Sequence, residues 1–289
     1  MKTYLIKSYG KINLCLNITG KTDDGFHTVD IVSLPVEMHD SLLLKQIKNK
    51  DRAVVTSDDF MAGMGRHNLV TKAILLFLDK AQLNKQYHVD IHKVVPIQAG
   101  MGGGSSNAAF ILMKLNEIHH HLFSDKEIKE MALSLGADVP FFLGCVPSRC
   151  QGIGEIVTPI EVKNNYYVLI VKPARGCSTK EVYEKSNDYD IQIKDVDTVI
   201  EALANGDDEL LANSIFNDLQ NPAVDILPEI KVIIEMLKGQ FGLKIVQMTG
   251  SGSAVFALSQ NKKELENIIK QIYKDYYVEL TRIKKGNQK

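Results

Sequence analysis

The chain has 289 residues, of which 45% are apolar and 24% charged, and its formal net charge is −1. These values are typical of a globular protein with one large or two moderate domains, and the balanced charge predicts no nucleic-acid partner. Because no apolar run approaches the roughly 18 residues that span a bilayer, we also expect no membrane partner.

The N-terminal segment and the cysteines predict a cytoplasmic protein. Lysines interrupt every apolar stretch of MKTYLIKSYGKINL, which argues against a secretory signal. The cysteines have no CxxC spacing, which favours small core or loop residues in a reducing compartment over a zinc site or a disulfide framework. They are Cys15, Cys145, Cys150 and Cys177.

The first half of the chain predicts strands and helices in alternation. Two strands are expected at residues 2–8 and 12–18, separated by the sequence YGK. Apolar residues at helical spacing predict a helix over 69–81, and YHVDIHKVV predicts a strand over 87–95. A buried helix is expected over 108–118.

The next helix has clear start and stop signals. Ser124 and Glu127 form a predicted capping box, and the helix is expected to stop at Gly136. Three consecutive histidines precede it, at residues 119–121. Consecutive helical residues point in different directions, so we expect a solvated helix end there rather than a metal site.

The second half predicts a further set of elements and gives the chain an α+β class. A buried strand is expected over 166–173, followed later by a helix from Pro228 to Gly239. The sequences KIVQM and AVFAL predict a hairpin around the turn TGSGS. An amphipathic helix at 265–272 and a strand at 276–283 complete the pattern.

The most distinctive stretch is PIQAGMGGGSSNAA, residues 96–109, which leads directly into a helix. Glycines let the backbone approach phosphate oxygens closely, and the amide groups at a helix start point towards such an anion. The stretch therefore predicts a phosphate-binding loop, with a flexible loop that binds nothing as the alternative.

Two familiar phosphate loops do not fit this stretch. No Lys-Ser/Thr pair closes it, so it is not a Walker A loop. Gly100, Gly102 and Ser105 approximate a dinucleotide fingerprint, but that motif needs a second strand ending in an acidic residue about 20 residues later. A helix and the sequence HHHLFSDKE follow instead.

The stretch resembles the signature P-x-x-x-G-L-G-x-S-S-x-A-x of the galactokinase, homoserine, mevalonate and phosphomevalonate (GHMP) kinase superfamily. Further motifs recur in order and resemble those of one kinase family within that superfamily: YGKINLCLNITGKTDDGFHTVDIV, GADVPFFL, KPARGCSTKEVYE and QMTGSGSAVFAL. The resemblance implies an N-terminal half like ribosomal protein S5 domain 2, residues 1–158, which carries the ATP phosphate loop. It also implies a ferredoxin-like C-terminal half, residues 159–289, with the active site in the cleft between the halves.

The activity implied by this set of motifs is an ATP-dependent kinase of the non-mevalonate isoprenoid pathway, which phosphorylates the 2-hydroxyl of 4-diphosphocytidyl-2-C-methyl-D-erythritol. The alternatives are a GHMP kinase for homoserine or a mevalonate-type substrate, and a nucleotide-binding module without catalysis. The expected partners are ATP, Mg²⁺ held mainly through the nucleotide phosphates, and a small-molecule substrate. We assign no metal ligand in the chain and expect a monomer or weak homodimer.

The resemblance implies that Lys11 and Asp138 form the catalytic pair. Asp138 follows a helix C-terminus, whose negative end favours a protonated carboxyl group. A nearby cation would restore the carboxylate, which could then take the proton of the substrate hydroxyl. Without the resemblance, Asp138 is an ordinary turn residue and Lys11 a solvated lysine at a strand edge.

The expected ATP site combines the loop with two flanking residues. Asn68 and Lys93 match positions near the adenine and ribose, although Asn68 is also a predicted helix N-cap. The loop residues are Pro96, Ile97, Gln98, Ala99, Gly100, Met101, Gly102, Gly103, Gly104, Ser105 and Ser106.

The expected substrate site contains aromatic and glycine-rich parts. By the resemblance, His27 bonds the edge of the cytosine, while Phe26, where a tyrosine is more usual, and Tyr183 cover its faces. Asn13 and Thr179 are further expected contacts. Gly250, Ser251 and Gly252 are expected to bring a second bare backbone to the site, with a simple hairpin turn as the alternative.

Overall fold

The computed structural model describes residues 2–23, 25–48, 50–59 and 68–286, which form two compact units. Unit 1 takes its residues from 1–10, 38–97 and 102–145, and unit 2 from 11–37, 98–101 and 146–289. Within the described ranges, no helix is long and apolar enough to cross a membrane.

The elements of the described residues alternate along the chain as an α+β protein. The strands are β1 Thr3–Lys21, β2 His27–Ile47, β3 Ala53–Ser57, β4 Gln86–His92, β5 Ser148–Gly152, β6 Ile156–Pro159, β7 Tyr167–Lys172, β8 Phe216–Asn217, β9 Ile245–Met248, β10 Val255–Ser259 and β11 Tyr277–Arg282. The helices are α1 Leu69–Lys80, α2 Gly103–Ile118, α3 Asp125–Leu135, α4 Phe141–Gly144, α5 Thr179–Ser186, α6 Asp197–Asn205, α7 Asp208–Ser214, α8 Gln220–Ile226, α9 Glu229–Glu235 and α10 Lys262–Ile272.

Unit 1 packs helices on strands in the order β3-β4-β2-β1. Strand β4 pairs in parallel with β3 and antiparallel with β2. Helix α1 buries Ala73, Ile74 and Phe77, and it packs against α2 and α3. Burial of the Ile74 and Phe77 side chains stabilises the unit by roughly 1.5–3 kcal/mol each. The first turn of α2 thereby starts from a packed helical layer.

Unit 2 contains a second sheet of four antiparallel strands in the order β11-β7-β10-β9. Helices α9 and α10 contact this sheet, and α10 buries Leu265, Ile268 and Ile272 on one face. The first parts of β2 and the last parts of β1 belong to the same unit, where β1 pairs with β8 and β2 with β5. The predicted hairpin of β9 and β10 is confirmed.

The predicted break at YGK is wrong, because β1 runs without interruption from Thr3 to Lys21. Gly10 and Lys11 are both buried within it, so pairing with the neighbouring strand overrides the local turn signal. The helix expected to close at Gly239 also differs. After Glu235 it continues as a π-helical turn, Met236–Gln240.

The end of α2 corrects the expectation of three solvated histidines. The Nε2 atom of His119 lies 2.8 Å from the hydroxyl of Tyr87, and its ring packs 5.6 Å from that of Phe77. His120 and His121 follow in the turn after α2, and their φ angles are positive, at 58° and 56°. The capping box of Ser124 and Glu127 is confirmed.

Candidate active site

The two glycine-rich segments of unit 2 touch backbone to backbone. Gly100 has a φ of 72°, and a Cβ atom placed there would lie 2.0 Å from the carbonyl oxygen of Thr249. Gly250 has a φ of 56°, and its Cβ would lie 2.7 Å from the carbonyl oxygen of Gly100. Only glycine tolerates both the backbone angle and the close approach. We call Gly100, Thr249 and Gly250 the glycine contact.

Two side chains that the sequence did not single out stabilise the glycine contact. The buried hydroxyl of Thr249 accepts a hydrogen bond from the backbone amide of Asn13 at 3.0 Å and donates to the backbone carbonyl of Gly100 at 3.4 Å. The side-chain amide of Asn217 donates to the backbone carbonyls of Met248 and Gly250, both at 2.8 Å. A hairpin turn alone would need neither, so the TGSGS turn also supports the loop.

Lys11 is buried rather than solvated, with 4% of its surface exposed. Its backbone amide donates to the carbonyl of Met101 at 3.1 Å, and its ammonium group donates to the side-chain oxygen of Asn13. Asn13 in turn donates to the hydroxyl of Ser33 at 2.8 Å. The centre of β1 therefore places a cation and an amide beside residues 98–101 of the loop.

The helical end of the loop lies in unit 1. Helix α2 begins at Gly103, after Gly102 with a φ of 68°, and in the described chain no side chain caps its first turn. The first amide groups of such a helix are suited to bind an anion. Ser106 is buried, and its hydroxyl lies 2.7 Å from that of Ser8. Its hydroxyl therefore contributes to packing between β1 and α2.

Lys93 lies beside this helix start. A Cβ atom on Gly103 would lie 3.1 Å from the ammonium nitrogen of Lys93. That ammonium group pairs with the carboxylate of Asp40, and the two side chains are 8% and 0% exposed. Asp40 also accepts hydrogen bonds from the amides of Val94 and Val95, both at 2.8 Å. Asp40 was not predicted, and nothing in the sequence at the middle of a strand pattern indicates this role.

The remaining ATP-site predictions occupy defined positions. Asn68 is the N-cap of α1 and accepts from the amide of Val70 at 2.8 Å. The carbonyl of Gln98 accepts from the amide of Ser253 at 3.1 Å, and a Cβ on Gly176 would lie 2.4 Å from the Cβ of Gln98. Ala99 and Met101 are buried, whereas Pro96, Ile97, Gly104 and Ser105 are partly or fully exposed.

A buried lysine that was not predicted stabilises the segment beside Gln98. The ammonium group of Lys172 donates to the carbonyls of Pro173 at 3.0 Å and Arg175 at 3.4 Å. Burial lowers the pKa of Lys172 from its usual value, and the nearby Cys177 opposes that shift. The carbonyl of Arg175 also accepts from the hydroxyl of Ser253 at 2.8 Å.

Asp138 lies in the turn between α3 and α4, and its side chain is exposed. It belongs to unit 1, whereas Lys11 belongs to unit 2. Its pairing with Lys11 stays a prediction, as do the domain boundary at residue 158 and the placement of the active site in a cleft.

The predicted base-binding residues lie in unit 2 and form what we call the aromatic segment: Phe26, His27 and Tyr183. The rings of His27 and Tyr183 are 5.1 Å apart at an angle of 37°. Phe26 is 61% exposed, which leaves its ring face open to a flat ligand. Asp24, which begins the DGFH motif, lies outside the described residues.

A hydrogen bond connects the helix of the aromatic segment to the turn of the glycine contact. Thr179 is the first residue of α5, and its hydroxyl lies 2.9 Å from that of Ser251. Tyr183 is one turn further along the same helix. Helix α5 therefore places Thr179 against Ser251 and carries Tyr183 one turn away.

Comparisons with known proteins agree with this geometry. The family profile "GHMP kinases N terminal domain" matches residues 68–144, and "GHMP kinases C terminal" matches residues 199–278. A 4-diphosphocytidyl-2-C-methyl-D-erythritol kinase of Lachnoclostridium phytofermentans is 35% identical over 90% of this chain and 89% of its own length. The same kinase from Clostridioides difficile is 35% identical over 93% of both chains.

A solved structure of a 4-(cytidine 5'-diphospho)-2C-methyl-D-erythritol kinase aligns with a TM-score of 0.81 and 26% identity, over 98% of this chain and 100% of that one. The two profiles and this alignment confirm the expected two-domain α+β kinase architecture. The chain therefore belongs to the 4-diphosphocytidyl-2-C-methyl-D-erythritol kinase family, within the GHMP kinases.

Proposed function

We propose that this protein transfers the γ-phosphoryl group of ATP to the 2-hydroxyl of 4-diphosphocytidyl-2-C-methyl-D-erythritol, in the non-mevalonate isoprenoid pathway. The observation that carries the choice of acceptor is the aromatic segment in a chain of this family. The rings of His27 and Tyr183 lie 5.1 Å apart, and Phe26, the residue before His27, has an exposed ring. Homoserine and mevalonate have no base for such rings to cover.

The phosphate loop is the proposed ATP site. The uncapped first turn of α2, which begins after Gly102, can donate amide hydrogen bonds to the phosphates. The ammonium group of Lys93, paired with the carboxylate of Asp40, lies beside Gly103 and can donate a further hydrogen bond to a phosphate oxygen. This position supports a role for Lys93 near the polyphosphate as well as near the ribose. Phosphoryl transfer depends mainly on such positioning and charge neutralisation.

Magnesium would enter this site with the nucleotide. No cluster of three His, Cys, Asp or Glu side chains that could enclose a metal ion occurs in the residues the structure describes. Mg²⁺ commonly binds through substrate phosphates, waters and one or two carboxylates, so the residues present fit an ion held mainly by ATP. When bound, it would neutralise charge on the transferring phosphoryl group.

Lys11 and Asp138 are the proposed catalytic residues. The carboxylate of Asp138 would take the proton of the substrate's 2-hydroxyl as that hydroxyl oxygen bonds to the γ-phosphorus and the bond from the γ-phosphorus to ADP breaks. The ammonium group of Lys11 would favour the ionised carboxylate and orient the substrate through Asn13. The exposed side chain of Asp138 is accessible to a substrate, and the buried, hydrogen-bonded Lys11 has a fixed position.

The first test of this function is the reaction itself. Purified protein is incubated with Mg-ATP and each of three acceptors: 4-diphosphocytidyl-2-C-methyl-D-erythritol, homoserine and mevalonate. We expect only the first to yield a phosphate ester, with ³¹P NMR assigning it to the 2-position. Phosphorylation of homoserine or mevalonate alone would replace this proposal by the alternative kinase, and ATP binding without any transfer would indicate a binding module.

The second test addresses the proposed base. Asp138→Asn should lower kcat by roughly 10²–10⁴ while the KM for ATP changes little, because the general-base contribution is removed and the phosphate loop is intact. Asp125→Asn, an exposed aspartate at the start of α3, is the matched control and should keep wild-type activity. A decrease of less than tenfold in Asp138→Asn would refute its role as base.

We also infer a cytoplasmic monomer or weak homodimer. All four cysteines are buried, and none forms a disulfide in the residues the structure describes, as a reducing compartment allows. Light scattering across a hundredfold range of protein concentration would test the state of assembly.

A further inference from the structure

Hydrogen bonds connect three side chains at the aromatic segment, those of Lys21, Asn187 and His27. The side-chain oxygen of Asn187 accepts from the ammonium group of Lys21 at 2.6 Å. The same oxygen lies 3.3 Å from Nε2 of His27. Asn187 follows directly after α5, the helix that carries Tyr183. These hydrogen bonds therefore connect the end of β1, the start of β2 and the end of α5.

Two contacts determine which end of the Asn187 amide faces His27. An ammonium group can only donate, so the atom beside Lys21 must be the carbonyl oxygen of the amide. The amide nitrogen of Asn187 donates to the backbone carbonyl of Glu184 at 3.0 Å, which agrees with that orientation. A rotated amide would place an NH₂ group against the ammonium of Lys21 and lose both hydrogen bonds. His27 therefore faces an acceptor.

An acceptor beside Nε2 determines the position of the proton on the neutral ring. A neutral imidazole carries one N–H, and a hydrogen bond to Asn187 requires that this proton is on Nε2. The lone pair is then on Nδ1, which can accept but not donate. Cytosine and uracil differ in the group that such an acceptor would meet, because cytosine presents a 4-amino donor where uracil presents a 4-carbonyl acceptor.

We propose that Asn187 is a positioning residue that holds the His27 proton on Nε2, so that Nδ1 accepts a hydrogen bond from the 4-amino group of cytosine and disfavours uracil. The proposal rests on the proposed function, because it assumes that the aromatic segment binds the base of the substrate. Lys21 acts one step further away by fixing the orientation of the Asn187 amide. None of the three side chains needs to contact the transferring phosphoryl group.

Base selectivity is the kinetic test. The ratio of kcat/KM for the cytidine substrate to that for its uridine analogue is measured in wild type, Asn187→Leu and Asn187→Asp. Asn187→Leu removes the acceptor, and this ratio should fall about fivefold to tenfold through a higher KM for the cytidine substrate, the scale of one hydrogen bond. Asn187→Asp keeps an oxygen towards His27 and should preserve the ratio within about threefold.

Two further variants separate this effect from a general disturbance. Lys21→Met should give an intermediate ratio, because the amide of Asn187 can then rotate. Asn205→Leu removes an exposed asparagine from the end of another helix, α6, and should leave the ratio unchanged. In all variants the KM for ATP should stay at the wild-type value, whereas a mere folding defect would change both substrates together.

The ring itself gives a direct readout that does not depend on activity. Long-range ¹H–¹⁵N NMR of histidine-labelled protein, with His27 assigned from the His27→Gln spectrum, should show the proton on Nε2 in wild type. Asn187→Leu should give a mixture of the two tautomers. A proton on Nδ1 in wild type, or an unchanged base preference in Asn187→Leu, would overturn the proposal. Failure of the acceptor assay would instead remove the proposed function and leave this NMR result standing.

Discussion

The glycine contact and the aromatic segment share a unit but are built in opposite ways. Gly100, Thr249 and Gly250 meet through backbone atoms, and Thr249 and Gly250 are fully buried. The aromatic segment instead presents side chains, with Phe26 61% exposed and the ring of His27 held by an exposed asparagine. The difference indicates that the glycine contact, which supports the proposed ATP loop, is inseparable from the fold, whereas the aromatic segment, which we propose selects the acceptor, is a replaceable surface.

The largest expected effect comes from Gly100→Ala. The new Cβ would lie 2.0 Å from the Thr249 carbonyl oxygen at a φ of 72°, so the two segments must separate. We expect a loss of roughly 3 kcal/mol or more in the free energy of unfolding, together with a loss of at least about 10² in kcat/KM for ATP. Denaturant unfolding and steady-state kinetics measure both quantities.

Gly239→Ala is the matched control for that variant. Gly239 lies in the π-helical turn, and a Cβ there would meet no atom within 4 Å. Alanine should therefore leave activity unchanged and stabilise the protein by up to about 1 kcal/mol, since glycine is unfavourable in helical backbone. If Gly100→Ala proved as stable as this control, the glycine contact would not be a fixed part of the fold.

Thr249→Val should have the next largest effect. Valine keeps the shape of the side chain but removes the hydroxyl that accepts from the backbone amide of Asn13. That buried N–H donor would then have no partner. The expected destabilisation is about 1–3 kcal/mol. Thr249→Ser keeps the hydroxyl and should recover most of the lost hydrogen bonding. Equal stability of the valine and serine variants would show that packing, rather than this hydrogen bond, determines the role of Thr249.

Phe26→Ala tests the other side of the comparison. Because the ring is 61% exposed, its removal should change the free energy of unfolding by less than about 0.5 kcal/mol. The KM for the cytidine substrate should rise by about tenfold, since stacking on a base contributes about 1–3 kcal/mol. Phe26→Tyr should restore binding. A large loss of stability, or an unchanged KM, would remove the proposed difference between the two regions.

The sequence allowed most of the elements to be predicted, because hydrophobic periodicity and capping signals are local. The helix at Ser124 and the hairpin around TGSGS are examples in which the local signal and the tertiary structure agree. The break at YGK failed, since a buried position in a paired strand overrides the turn preference of Gly10.

The sequence indicated the candidate site residues that lie in motifs, but not the residues that stabilise them. Gly100 and Gly104 look alike in the run GMGGG, yet a Cβ on Gly104 would meet only Leu69 at 3.8 Å. Which glycine is irreplaceable depends on Thr249, about 150 residues further along the chain. Asp40 and Asn187 also make their contacts with residues far away in the sequence, and no spacing rule predicts such contacts.

The smallest expected effect is the pH dependence that His119 gives to the stability of the fold. Burial, with smaller contributions from Lys85 and His120, lowers the pKa of His119 below its usual 6.5. Its neutral Nε2 can accept from the hydroxyl of Tyr87 at 2.8 Å, and burial raises the pKa of Tyr87 to about 12, so the tyrosine stays a donor. A protonated His119 could not accept this bond.

Because the unfolded chain binds this proton more readily than the folded one, the stabilisation is complete above the unfolded pKa and is lost as the pH falls below about 6.5. His119→Gln, which cannot titrate, should flatten the free energy of unfolding between about pH 7 and pH 5, measured by urea titration at each pH. A wild-type slope in His119→Gln would show that the hydrogen bond between His119 and Tyr87 is not the source of this pH dependence.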